Sequence, residues 1–338
     1  MRVRSAAFAC AALSLAACKP PTPSAPAADR PAAERPAERA AAPAAPSRSD
    51  ERCVAPLDAP GAWTTGRQKK GRLVLGVVAG LKEASEDNLA HVKALVAEMR
   101  KRGIEAIVAD GDLGDTPEEQ EALLGVLTQT GLPVLALAGN REARSDLDAA
   151  EANLRKRGAV IFDLSHSRPL DLGDALVFGL AGGFDRRHGH SEGSCIYVQR
   201  DLDALQAYLS KLPASAPPVL LVAAVPPRGQ DARALDASEG QNLGDPRLTT
   251  LLQSRRVSFG IFGQVWEAGA RAIDTAGAPV EQDKPAEHIF LNPGAAAHTP
   301  WPMNDGSTSH GGAAILVIEG RRASYSIVRL PVPGPRAG

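Results

Sequence analysis

The sequence lacks a dominant charge. Its 38 Lys and Arg against 39 Asp and Glu leave a formal net charge of −1, so composition gives no electrostatic case for nucleic-acid binding. It lacks a bilayer-length apolar run at its N-terminus: Ala6 to Ala17 is apolar, but a spanning helix needs about 20 such residues. No internal repeat is visible. Ser191 and Ser194 stand in no nucleophile-elbow pattern, which removes support for a serine hydrolase. Large apolar residues are almost missing between Lys19 and Asp50, where prolines stand at 20, 21, 23, 26, 31, 36, 43 and 46. Such a stretch cannot offset its ordering entropy and favours extended polyproline II segments, so it is expected to be a disordered tether. What is present is bulk. With 338 residues, 44% of them hydrophobic, the chain can bury the core of one large α/β domain.

The first residues have the form of an export signal: Arg2 and Arg4 precede the short apolar run. Leu15-Ala16-Ala17-Cys18 resembles a bacterial lipobox, in which Cys18 would be lipidated and become the mature N-terminus; an ordinary secretory signal is the alternative. Lys19, in place of an aspartate, favours the outer membrane by resemblance to lipoprotein sorting rules. The expected organisation is a signal peptide over 1–18, a tether over 19–52, one domain over 53–332 and a disordered tail over 333–338. The chain has four cysteines. With Cys10 removed and Cys18 lipidated, Cys53 and Cys195 remain, either as a disulfide or as two separately buried thiols.

Within the domain, the continuous apolar run Arg72 to Ala79 predicts a strand buried on both faces. Leu89, Val92, Val96 and Met99 at helical spacing predict a helix stopped by Gly103. Ile104 to Ala109 predicts the next strand, and Thr116-Pro117-Glu118-Glu119 a helix start with a capping-box pattern. A third strand follows at Leu132 to Ala138 and a third helix at Ser145 to Arg157. Strand-helix alternation implies parallel strands. The short runs at 160–162, 168–172 and 175–180 suggest antiparallel additions. Helices are expected over 203–212 and 246–253, strands over 219–225 and 257–262, and a closing hairpin over 313–330.

Chemistry in open α/β sheets collects past the carboxyl ends of the strands. There the sequence places Asp110-Gly111-Asp112, then Gly139-Asn140-Arg141-Glu142. Together these resemble the "GD" and "GNH[E/D]" motifs of calcineurin-like metallophosphoesterases. Ala224-Val225-Pro226, Gly263-Gln264-Val265-Trp266 and Asn292-Pro293-Gly294 are similar, in order, to that family's later motifs. The resemblance covers residues 72 to 330 and implies a four-layer α/β/β/α sandwich with a two-metal site at the sheet edges, where a metal-bound hydroxide attacks phosphorus.

The ligands that the resemblance requires are mostly replaced. Gly80 and Lys82 stand at the aspartate and histidine of the first motif, Arg141 at the catalytic histidine, Ala224 at the next, and Gln264 and Trp266 at the last two. Only Asp112 and Asn140 survive as metal ligands. An uncompensated buried Asp112 is costly, so a Lys82–Asp112–Arg141 cluster is expected in place of metal. Asp110 and Asp115 are assigned to turn geometry and helix capping, His188 and His190 to a solvated loop, with metal ligation alongside Asp185 or Glu192 as the alternative, His91 to an exposed helix face, and the segment with His298 and His310 to a cover over the old site. The leading expectation is a noncatalytic envelope protein for binding or assembly, with no cofactor and an envelope protein as partner. The alternatives are a hydrolase with an atypical manganese, iron or zinc site on Asp112, Asn140 and a loop histidine, and a sensor of phosphate or another small anion through Lys82 and Arg141.

Overall fold

The computed structural model describes residues 53–57 and 63–331. The expected signal peptide, Cys18, the tether and the tail lie outside the described residues.

In chain order the strands are β1 (Trp63–Thr64), β2 (Arg72–Ala79), β3 (Ala106–Asp110), β4 (Val134–Leu137), β5 (Ile161–Asp163), β6 (Leu170–Asp171), β7 (Leu176–Leu180), β8 (Val219–Ala223), β9 (Ala237–Ser238) and β10 (Gln241–Asn242). They continue with β11 (Phe259–Ile261), β12 (Arg271–Ile273), β13 (Pro279–Val280), β14 (Ile289–Asn292), β15 (Trp301–Pro302), β16 (Thr308–Ser309), β17 (Ala313–Glu319) and β18 (Arg322–Val328). The helices are α1 (Glu86–Lys101), α2 (Pro117–Thr128), α3 (Arg144–Lys156), α4 (Gln199–Lys211) and α5 (Pro246–Gln253).

Two sheets form the centre. One runs β18-β17-β2-β3-β4-β5 and the other β1-β6-β7-β8-β11-β14-β12-β13. Strands β2 to β5 are parallel, as are β7, β8, β11 and β14. Apolar residues of both sheets join one continuous core, from Leu73 and Val108 to Leu221 and Phe290. Helices α1 to α3 flank the first sheet and α4 and α5 the second, giving the expected α/β/β/α sandwich. Seven of eight β2 residues are buried, as its unbroken apolar run requires.

Local signals place the connections. Ser85 caps α1 by accepting from the Asn88 amide at 3.3 Å, and Gly103 ends it at φ +74°. Thr116 caps α2 by accepting from the Glu119 amide at 3.2 Å. Two expectations need correction. Residues 161–163 are not an antiparallel addition: β5 pairs parallel with β4, because α3 returns the chain as another crossover unit. Helix α4 starts at Gln199, four residues early, because the Asp201 carboxylate accepts from the Val198 amide at 2.8 Å. The structure joins Cys53 to Cys195, with Cα atoms 5.3 Å apart. No helix among the described residues is long and apolar enough to cross a membrane.

Candidate functional site

The carboxyl ends of five parallel strands meet at one place. Gly80 and Lys82 follow β2, Gly111 and Asp112 follow β3, Gly139 and Asn140 follow β4, Ala224 follows β8, and Gly263 and Gln264 follow β11. At the glycines the backbones approach so closely that a side chain is excluded. A Cβ on Gly111 would lie 3.1 Å from Gly139 Cα and 3.2 Å from Ala224 Cβ, and one on Gly263 2.4 Å from Ala79 Cβ. The Gly80 amide donates to Gly111 O at 3.1 Å and the Lys82 amide to Asp112 O at 2.9 Å. Lys82 and Asp112 hold φ of +69° and +54°, a left-handed backbone that non-glycine residues keep only where surroundings over-determine it. The residues aligned to the family motifs therefore do share one site.

The Lys82–Asp112–Arg141 cluster is not what neutralises it. Lys82 Nζ has its nearest carboxylate at Glu83, 3.7 Å away. Arg141 donates to both oxygens of Asp115, at 2.9 and 2.8 Å. Asp115 thus serves as the partner of Arg141, not as a helix cap, and a bidentate pair nearer to solvent outcompetes a buried single contact. Asp112 is left with a buried Oδ1 that has no hydrogen-bond partner among the described residues. Burial first, and the Glu142 charge second, push its carboxyl up to about 8, with the Arg141 charge pulling the other way. The Trp266 indole N–H draws it down slightly from a position outside hydrogen-bond geometry.

Asp110 is not a turn residue. It is 1% exposed, both its oxygens lack partners among the described residues, and burial with the charges of Asp112 and Glu142 holds its carboxyl well above the usual range. Glu142 is fully buried, accepts from the amides of Leu113 and, at 2.6 Å, Gly139, and is raised to about 7, chiefly by burial. Three acids thus share one buried site, and burial raises the carboxyl of each. The fourth letter of the Gly139-Asn140-Arg141-Glu142 motif was the sequence signal for Glu142.

Trp266 fills the space in front of Gly80. A Cβ on residue 80 would lie 2.7 Å from its Nε1 and 2.8 Å from its Cε2, and its outer edge packs against Trp301 at 4.9 Å between ring centroids and 71°. Any ligand side chain at 80 would occupy the position of the indole. Asn140 is oriented by the cavity loop: its Nδ2 donates to His188 O at 2.5 Å. A two-metal centre needs several carboxylate and imidazole donors, and glycine, lysine, arginine, alanine, glutamine and tryptophan at the remaining positions do not fit one. Gly80→Ala is expected to destabilise the fold by about 2 kcal/mol or more, because it combines overpacking against a fixed indole with positive φ; thermal unfolding of the variant checks this.

Beside the plug lies a cavity of about 360 Å³ lined by Asn140, Phe184, His188, His190, Gln264 and Glu267, among others. The loop holding His188 and His190 is therefore a wall of this cavity. Its position follows from Asn140, whose carbonyl also accepts from the His190 amide at 3.0 Å, and from Cys195, whose carbonyl accepts from the Gly183 amide at 2.9 Å. Neither histidine forms a ligand group with Asp185, which pairs with Arg187, or with Glu192. The donors that do converge, within 4.8 Å of one another, are Asp148, Asp163 and His166. The Arg144 guanidinium already bonds both carboxylates and approaches His166 Nδ1 at 2.9 Å, so this group has its cation, and Arg144 helps to hold Asp163 far below the usual carboxylate range.

No family model matches the chain, and no curated protein matches it. Solved structures do. TT1561 of Thermus thermophilus aligns with 76% of this chain and 99% of its own at 14% identity and a TM-score of 0.51. A dimetal phosphatase from Danio rerio aligns with 77% of this chain and 99% of its own at 15% identity and a TM-score of 0.47. A purple acid phosphatase from yellow lupin, Lupinus luteus, aligns with 76% of this chain and 52% of its own at 12% identity and a TM-score of 0.42. The chain shares the mixed α/β fold of TT1561. At these identities the likeness extends to the fold alone, and the chemistry has to be argued from the site.

Proposed function

We propose that this chain is an envelope lipoprotein whose phosphoesterase-like domain binds or assembles with a partner and does not turn over phosphoesters. One observation carries the reading: the Trp266 indole stands where a metal ligand on residue 80 would have to be. The replaced ligands agree with it. The lipobox-like Leu15 to Cys18 supports a lipid anchor, Lys19 favours the outer membrane facing the periplasm, and the Cys53–Cys195 disulfide suits an oxidising compartment. The cavity beside Gln264 is where a ligand or a partner side chain would enter.

A second reading rests on a specific feature. Asp110, Asp112 Oδ1 and Gln264 Oε1 are buried acceptors without partners among the described residues, an arrangement that also suits one oxygen-liganded cation and, with it, residual hydrolase activity. Metal analysis of the purified protein, with a chromogenic phosphodiester assay across manganese, zinc and iron, separates the two. We expect no turnover and no metal that depends on Asp112. Turnover together with metal, both lost in Asp112→Asn, would overturn the noncatalytic reading. Titration with phosphate and with envelope extracts then distinguishes an anion sensor from an assembly protein.

A further inference from the structure

Helix α1 and the β15–β16 hairpin come from opposite ends of the domain, and the structure brings three histidines together where they meet. His91 lies on α1. His298 and His310 flank the hairpin, in which Trp301 pairs with Ser309 and Pro302 with Thr308; both histidines therefore stand at its base. The His91 and His298 rings are 5.5 Å apart between centroids at 68°. His91 is half-buried, not on an open helix face as its sequence position suggests, because this distant segment covers it.

The backbone around the three rings is fixed. The His298 amide donates to Asn88 Oδ1 at 2.8 Å, and Asn88 Nδ2 donates to Leu81 O at 2.7 Å and Glu83 O at 2.6 Å. Thr299 Oγ1 donates to Glu83 Oε1 at 3.0 Å. Gly311, at φ +86°, lies so close to helix α1 that a Cβ on it would be 2.5 Å from His91 Nε2. That nitrogen is buried and has no hydrogen-bond partner among the described residues. A buried polar atom left unpaired costs about 1–3 kcal/mol and calls for a partner.

Burial first, and the neighbouring imidazoles His298 and His310 second, lower the His91 pKa. Imidazole suits zinc, copper and nickel. Two imidazoles on one tetrahedral zinc, with Zn–N of about 2.0–2.1 Å, have ring centroids roughly 5 Å apart, close to the 5.5 Å between His91 and His298.

We propose that His91, His298 and His310 bind one divalent cation of the zinc class, which fastens the base of the β15–β16 hairpin to α1. The set is not closed before binding, since these nitrogens are not among the donors that already converge within 4.8 Å. The exposed His298 side chain supplies the rotation that closes it. The site shares no residue with the acids around Asp112.

Isothermal titration of zinc chloride into the purified protein tests this, with circular dichroism to establish that each variant is folded. One zinc per chain is expected. His298→Ala, at an exposed position, and His91→Gln, which keeps most of the side-chain volume, should each weaken binding at least tenfold, while His166→Ala should leave it unchanged. Zinc should raise the melting temperature of the parent and not of His298→Ala. An absence of saturable binding would overturn the proposal, as would binding that survives both His91→Gln and His298→Ala or is lost in His166→Ala.

Discussion

Replacing Cys53 and Cys195 together by alanine lowers the unfolding free energy by about 4–5 kcal/mol in the chain-entropy account, in which a 100-residue loop is worth about 4.7 kcal/mol. The bridge spans a sequence separation of 142, so cutting it frees the unfolded chain from a very large closed loop. Urea unfolding of oxidised parent and variant measures the difference, and a loss below about 1 kcal/mol would refute the expectation. The native state should change locally as well. Cys195 packs against Gly182, whose added Cβ would lie 2.0 Å from Cys195 O, and Cys195 O holds the Gly183 amide. Without the bridge, the amides of Gly183 and Tyr197 should exchange faster with solvent, and the cavity wall carrying His188 and His190 should loosen with them.

Asp112→Asn should stabilise the protein, and more so as pH rises. The sign follows from proton counting. Unfolded, the Asp112 carboxyl titrates near its ordinary value of about 3.9; folded, it titrates at about 8, and Glu142 at about 7. Between roughly pH 4 and 8 the folded state binds more protons than the unfolded state, so stability falls across that window and levels off above it. A tenfold difference in proton affinity between the two states corresponds to about 1.4 kcal/mol. With the two acids interacting, removal of one is expected to be worth on the order of 3 kcal/mol at pH 8.5 and less than about 1 kcal/mol at pH 4. Denaturant unfolding at both pH values gives the comparison. A cation held by Asp112 would reverse the sign, with Asp112→Asn becoming the less stable protein at pH 8.5, so the same experiment bears on the noncatalytic reading.

The sandwich was legible because its central strands are nearly unbroken apolar runs and because caps such as Ser85 and Thr116 mark helix starts. The meeting of Gly80, Asp112, Asn140, Ala224 and Gln264 was legible because strand order fixes which strand ends are neighbours. Charge pairing was not. Residue order placed Lys82 and Arg141 beside Asp112, but side-chain direction and a better bidentate partner sent them to Glu83 and Asp115. His91 was misread for a related reason: helical periodicity describes one helix, and the segment that covers it comes much later in the chain. Asp110 was misassigned because an acid beside a glycine in a turn sequence has the same local pattern whether its carboxyl faces solvent or the core.

The edge contact between Trp266 and Trp301 has a practical consequence. The chain holds only three tryptophans, and the third, Trp63, is 40% exposed on the far edge of the second sheet. Two of its three indoles therefore sit at the plugged site, both with a buried ring nitrogen. Intrinsic fluorescence of the unlabelled protein is a direct gauge of that site: a shift of its blue component toward red reports the hairpin lifting from the plug, with no probe added.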